Sequence, residues 1–287
     1  MSQTPEANAT KAQQGDKAAL EELIAQIQGK VYGLALRMLW HPEDAQDATQ
    51  EILLRVVTHL ATFRGASSFF TWVYRIAANH LLRFRMSRLE QQGFTFEIFG
   101  KDLKEGLSDH SAHPDDSILF QEIRAGCTLG MLLCLDRPHR LAYILGEILE
   151  IDGNEASAIL GVRQVTFRKR LERARAQIVE FMQARCGLAN PKNACRCRRR
   201  LKRAVELKRV DRQKPLFARD PENARKFPEI LVNIRQLEEA QRAVALFRAH
   251  PECALPNFTI AVRNLLNTGE GAAPRVPTNR TERESGL

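Results

Sequence analysis

The chain has 287 residues, 44% apolar and 27% charged, with 43 Lys and Arg against 34 Asp and Glu for a formal charge of +9. This composition excludes a disordered or fibrous protein, and the length, about two domains' worth, can bury cores without disulfides or metal. No run approaches the ~18 apolar residues of a membrane span, the polar start MSQTPEANATKAQQGDK lacks a signal-peptide core, and six cysteines make no disulfide scaffold, so a cytoplasmic protein is expected.

Residues 1–15 are polar and Ala/Gln-rich, which predicts a disordered tail. From Asp16, Leu20, Leu23, Ile24, Ile27, Val31, Leu34 and Met38 recur at spacings of three and four, the stripe of an amphipathic helix. His41-Pro42 breaks it, and Glu43 and Asp44 favour a new N-terminus. The second helix turns Ala45, Ile52, Leu53, Val56 and Leu60 inward. After the small-residue loop Arg64–Ser68, a third runs from about Phe69 to Arg85.

Residues 86–117 are polar, net acidic and glycine-containing, the pattern of a flexible linker. Helical periodicity resumes at Ile118 through a run containing Cys127 and Cys134, then continues after Asp136-Arg137-Pro138 with Leu141, Ile144, Leu145, Ile148 and Leu149. No convincing alternating strand pattern appears, so the fold class is all-α.

The segment Asp152–Thr166 has the plan of a helix-turn-helix. Asn154 is the expected cap of a short helix, Gly161 its left-handed stop, and a basic second helix begins near Gln164 with Val165, Leu171 and Ala174 inward. Arg168, Lys169, Arg170, Arg173 and Arg175 then suit phosphates or guanine edges in a major groove. A solvated basic face is the alternative.

Two stretches together resemble the bacterial RNA polymerase sigma factors of the extracytoplasmic-function (ECF) type. Asp44-Ala45-Gln46-Asp47-Ala48-Thr49-Gln50-Glu51-Ile52-Leu53-Leu54-Arg55 resembles the family's clamp-docking helix. Phe63–Asn79 resembles the loop and helix that capture a base of the melted promoter −10 element, and Arg137–Ile178 the domain that reads the −35 element. Ala48, Thr49, Ala156, Ser157 and Phe167 depart from the family's preferences.

The resemblance implies a sigma domain two over 16–85, the linker 86–117 and a sigma domain four over 118–186. It implies core RNA polymerase and promoter DNA as partners, an anti-sigma factor as a further one, no membrane partner and no catalysis. Asp44, Asp47, Gln50 and Glu51 would face polymerase. Arg75, Asn79 and Arg83 would contact the −10 element, while Phe69 and Trp72 either stack on bases, at ~1–3 kcal/mol each, or join Ile76 in a core stripe. Thr166, Arg168, Lys169, Arg170 and Arg173 would face the −35 element, with phosphate and base contacts not separable by sequence.

The last 101 residues hold 21 basic and 11 acidic side chains, so the surplus charge lies beyond the resemblance, and its polyanionic partner is unspecified. Cys186, Cys195 and Cys197 lie among arginines that favour thiolates. They are candidate zinc or copper ligands or redox sensors, with His250 and Cys253 as completing ligands, or else inert thiols; no cofactor is required otherwise. Residues 187–267 read as a basic helical extension, with one helix near Leu201 and Val205, a longer one through Ile230, Ile234, Leu237, Val244 and Phe247, and another through Phe258, Val262 and Leu265. A disordered tail is expected over 268–287. The rival readings are a stand-alone helix-turn-helix repressor and a basic membrane-surface module.

Overall fold

Thr4 and Pro5 open the chain's first helix. The computed structural model describes residues 4–108, 116–218, 221–249, 256 and 258–259. Within them, Thr4 accepts the Ala7 N–H at 3.3 Å and proline takes a first-turn position of α1 (Pro5–Gln13). The tail expected over residues 1–15 is thus largely a packed helix. Asn8 and Ala9 are buried, Gln13 Nε2 donates to the carbonyls of Leu60 (2.9 Å) and Phe63 (2.8 Å), and Glu6 accepts the Phe69 N–H at 2.9 Å. Its buried face is too small to create a hydrophobic period, and its partners are some 50 residues away in sequence.

Asp16 caps α2 (Lys17–Leu39) by accepting the Ala18 and Ala19 N–H groups at 2.9 and 3.1 Å. The predicted stripe from Leu23 to Met38 faces inward. Trp40 leaves the helix at φ 68°, and Pro42 starts α3 (Pro42–Thr58), which buries Ala45, Ala48, Thr49, Ile52, Leu53 and Val56. Ser68 caps α4 (Phe69–Arg83) by accepting the Thr71 N–H at 3.1 Å.

The expected flexible linker is corrected over its described part. Ser87 and Glu90 form a capping box that starts α5 (Arg88–Gln91), Thr95 caps α6 (Phe96–Lys104), and Phe94, Phe99 and Leu103 are buried. Phe99 stacks on Phe181 with ring centroids 5.6 Å apart. Sparse aromatic anchors hold this polar stretch down, a pattern that composition does not register. Residues 109–115 lie outside the described part.

Glu90 also joins the two halves of the fold. Arg137 binds its carboxylate twice, at 3.0 and 2.9 Å, and donates to the carbonyls of Leu81, Phe84 and Arg85 at the end of α4. Arg140, buried to 1% exposure, meets Glu90 at 3.0 Å and donates to the carbonyls of Met38, Leu132, Leu133 and Leu135. Burial alone would raise the Glu90 pKa. Hydrogen bonds from Arg137 and the Ser87 backbone, with the charges of both arginines, instead hold it at about 2.

The second half contains α7 (Ser117–Leu133), α8 (Arg137–Tyr143), a π-helical turn over Ile144–Ile148, α9 (Gly153–Leu160) and α10 (Gln164–Arg185). The extension adds α11 (Cys197–Glu206), α12 (Pro221–Gln236) and α13 (Glu239–Arg248). The single helix expected from Ile230 to Phe247 is thus two, divided at Leu237 and Glu238. Leu201, Ala204 and Val210 pack with Leu119, and Asp102 receives both Arg200 and Arg209. The buried Glu122 carboxylate accepts the backbone N–H groups of Leu216, Phe217 and Ala218 at 2.5, 2.8 and 2.8 Å. Phe258 lies 5.9 Å from Tyr32, whereas Val262, Leu265 and the tail over 268–287 fall outside the described residues.

The described residues are helical with no strand beyond one isolated bridge, in agreement with the all-α expectation.

Candidate nucleic-acid interface

Helical spacing puts Asp44, Asp47 and Glu51 along one side of α3, with Gln50 beside them. Arg85 from beyond α4 reaches Asp44 at 2.5 Å and Asp47 at 3.2 Å, leaving Glu51 as the exposed acid of the set. His80 lies behind it, 3.7 Å from Glu51. Burial lowers the His80 pKa against the opposing pull of Glu51, so His80 is neutral at pH 7 and this face keeps its negative charge.

Arg75, Asn79 and Arg83 recur every four residues on α4, and all three are exposed. Trp72 continues the stripe half-buried, its ring 5.6 Å from those of Phe63 and Phe69. Phe69 is a correction. It is 0% exposed and packs edge-on against Phe63 at 5.1 Å, so it cannot stack on a base without unpacking the core. The loop over residues 64–68 that precedes it is exposed.

In the helix-turn-helix, Asp152 rather than Asn154 caps α9, accepting the Asn154 N–H at 2.8 Å. Asn154 instead accepts a side-chain hydrogen bond from Gln164 at 2.6 Å, across the turn. Gly161 ends α9 at φ +63°, where a side chain would be strained. On α10 the inward residues are Phe167, Ala174 and Ile178, with Leu171 at the edge. Val165, expected inward, is 61% exposed at the first turn, because Phe167 takes the core position against Gly146. Arg168, Lys169 and Arg173 are exposed, Thr166 and Arg170 half-buried, and Arg175 is held by Glu147. Exposure therefore divides the five expected −35 residues into three free arms and two at the helix flank.

The two candidate surfaces touch. Thr71 of α4 donates to Glu155 of α9, and Arg75 Nε donates to the Ala158 carbonyl at 3.1 Å. Nothing local in the sequence announces this contact, whose partners are more than 80 residues apart.

The family model for Sigma-70 region 2 matches residues 23–89, which span α2 to α5 and hence the acidic face and the polar stripe. The RNA polymerase sigma-H factor of Pseudomonas aeruginosa is 29% identical over 177 residues, 60% of this chain and 91% of that one. The ECF RNA polymerase sigma-E factor of Escherichia coli K12 is 29% identical over 171 residues, 58% of this chain and 88% of that one. The chain carries a Sigma-70 region 2 and is similar to ECF sigma factors. A solved structure of CnrH in complex with the cytosolic domain of CnrY aligns with a TM-score of 0.45 and 23% identity, covering 62% of this chain and 96% of that one.

The Pseudomonas and Escherichia matches cover 58–60% of this chain and 88–91% of the relatives. No helix among the described residues of this chain is long and apolar enough to cross a membrane. Cys186 and Cys195 lie in an isolated parallel bridge, with Cys197 opening α11, and all three thiols are free. His250 and Cys253 fall outside the described residues.

Proposed function

We propose that this sigma factor binds core RNA polymerase in the bacterial cytoplasm and directs it to promoters, reading the −10 element through α4 and the −35 element through α10. It lends specificity and strand opening and performs no catalysis of its own. An anti-sigma factor belongs to the same reading as a regulatory partner. The observation that carries it is the coexistence of three surfaces: the acidic side of α3, the Arg75-Asn79-Arg83 stripe and the Arg168-Lys169-Arg173 arms. A stand-alone repressor needs only the third.

The two promoter elements lie about 25 base pairs apart, roughly 85 Å along B-form DNA at 3.4 Å per step. Helices that hydrogen-bond to each other cannot occupy both. The α4–α9 contact is therefore one the free chain makes and the promoter-bound chain breaks, with the segment over 86–117 releasing its anchors.

Transcription in vitro with core polymerase and promoter fragments tests the reading. Promoter-specific transcripts that require both proteins are expected. Tight operator binding by the chain alone, with no polymerase-dependent transcript, would establish the repressor instead. Two variants sharpen the test. Glu51→Lys should weaken polymerase binding at least about tenfold, since it sets like charges against a basic clamp. If Glu51→Lys titrates polymerase like the wild type, α3 is not the docking face. Arg168→Ala and Arg173→Ala should each cost ~1–3 kcal/mol in −35 binding, relaxing base preference where the arginine reads guanine and flattening the salt dependence where it holds phosphate. Unchanged promoter affinity in both variants would remove α10 from the interface.

A further inference from the structure

The surplus charge of the extension is densest in one stretch. From Phe181 to Val205 the chain carries eight basic residues and no acidic one, and this stretch runs from the end of α10 through most of α11. α11 turns Leu201 and Ala204 inward to Leu119 of α7, and Arg200 inward to Asp102, which also takes Arg209. The opposite side holds Arg198 and Lys202, one turn apart and both exposed, with the half-buried Arg199 and Arg203 beside them. Arg196 and Lys192 continue this side into the preceding loop. Arg196 donates to the Pro191 carbonyl at 2.7 Å, which brings Lys192 alongside, and to the Cys195 carbonyl at 3.0 Å.

The fold does not neutralise this outward row. Glu105 lies 3.9 Å from Arg203, and the exposed Glu206 closes the far end of α11. Arg198 has the Phe120 ring 5.9 Å away, and among the described residues no carboxylate forms an ion pair with Lys192, Arg196, Arg198 or Lys202. Nor do these cations serve the helix, since basic residues in a first turn oppose its dipole and Arg196 makes no side-chain cap bond. Leu201 and Val205, the large apolar side chains of α11, pack toward α7. The row therefore lacks both the apolar face of a membrane-surface helix and the hydrophobic centre of a protein docking site. A convex line of guanidinium and ammonium groups suits a regular line of phosphates, which guanidinium groups bind in a forked geometry.

We propose that the outward face of α11, with Lys192 and Arg196 from the loop before it, binds the phosphate backbone of duplex DNA outside the −35 element. Only the place of that DNA rests on the reading of α10 as the −35 helix. Arg173 is the last exposed arm of α10, and Arg185 ends the helix a rise of about 18 Å further on. α11 begins beyond that end, so the phosphates it meets flank the stretch that α10 reads. Contacts of this kind carry no sequence information of their own. They add affinity and fix how the second half of the fold sits on the duplex.

Binding of the full-length chain to a DNA duplex of scrambled sequence, measured over a range of salt concentrations, tests this face apart from promoter recognition. Each neutralised phosphate steepens the fall of log affinity with log salt by about 0.9. Arg198→Gln combined with Lys202→Gln should therefore flatten that slope by about 1.8. The thermal midpoint should stay that of the wild type, because both side chains are exposed. Lys214→Gln combined with Arg235→Gln removes the same charge from exposed positions elsewhere in the extension and should leave the slope unchanged. On promoter fragments the α11 variant should bind more weakly by the same factor whatever the −35 sequence. A slope equal to the wild type's, or an equal loss in the charge-matched control, would overturn the proposal. So would a slope change confined to RNA, or lost core polymerase binding with DNA binding intact, each of which gives the face to another partner. An α11-dependent slope in a chain that recognises no promoter would uphold this face and remove the −35 reading instead.

Discussion

Glu90→Gln is expected to destabilise the protein by about 3–5 kcal/mol, the usual cost of removing one member of a buried ion pair. The substitution preserves shape and leaves Arg140 at 1% exposure, facing only carbonyls and a neutral amide. Arg137 loses its bidentate carboxylate as well, and with it the clamp on the C-terminal carbonyls of α4. Thermal unfolding followed by circular dichroism should show a lower midpoint than the wild type. Equal midpoints would mean that Glu90 is not the joint between the two halves.

The same residue predicts an acid dependence. Its folded pKa of about 2 lies below its ordinary value of 4.5. The carboxylate therefore contributes stability that is fully present above pH 5 and lost as the pH falls through 4.5 towards 2, amounting to roughly 3 kcal/mol. Glu90→Gln should remove that part of the acid slope while lowering stability at neutral pH.

Glu122→Ala is the second large effect, and it concerns the extension alone. The Glu122 carboxylate is the acceptor for three successive N–H groups at 216–218, and each such group left unpaired when buried costs about 1–3 kcal/mol. The segment is expected to detach rather than remain unsatisfied. Limited trypsin digestion should cut after Arg212 at least about tenfold faster than in the wild type, a local opening of a little over 1 kcal/mol, while the α2–α4 core resists as before. Glu122→Gln, which keeps one oxygen acceptor, should fall between them. Identical digestion of all three chains would show that this carboxylate does not hold the extension.

Much of the site was legible because its signals are local. The 3–4 spacing from Leu23 to Met38 gave α2, Pro42 gave the break before α3, and Gly161 with the basic run after it gave the helix-turn-helix. The four-residue spacing of Arg75, Asn79 and Arg83 put them on one exposed face, as any helix must. The failures share a cause. Phe69 and Trp72 look alike in sequence, yet Phe63 and the α1 contact bury the first and leave the second at the edge. Val165 and Phe167 are both apolar at the start of α10, and only the packing against Gly146 decides which turns inward. The N-terminal helix and the 86–104 segment look solvated because their anchors, Ala9, Phe94, Phe99 and Glu90, are too few to make a period.

The sequence by itself determined an all-α chain with an acidic helix, a polar stripe and a helix-turn-helix with a basic second helix, in that order. Periodicity, caps and motif residues act within a turn or two of helix. It also showed that the surplus charge lies in the last hundred residues. Tertiary structure alone decided that Glu90 bonds both halves, that α9 rests on α4, and that Glu122 holds the backbone at 216–218. Each of these is a meeting of residues nearly fifty or more positions apart, fixed by which buried charges and apolar faces can satisfy one another. No local pattern carries that information.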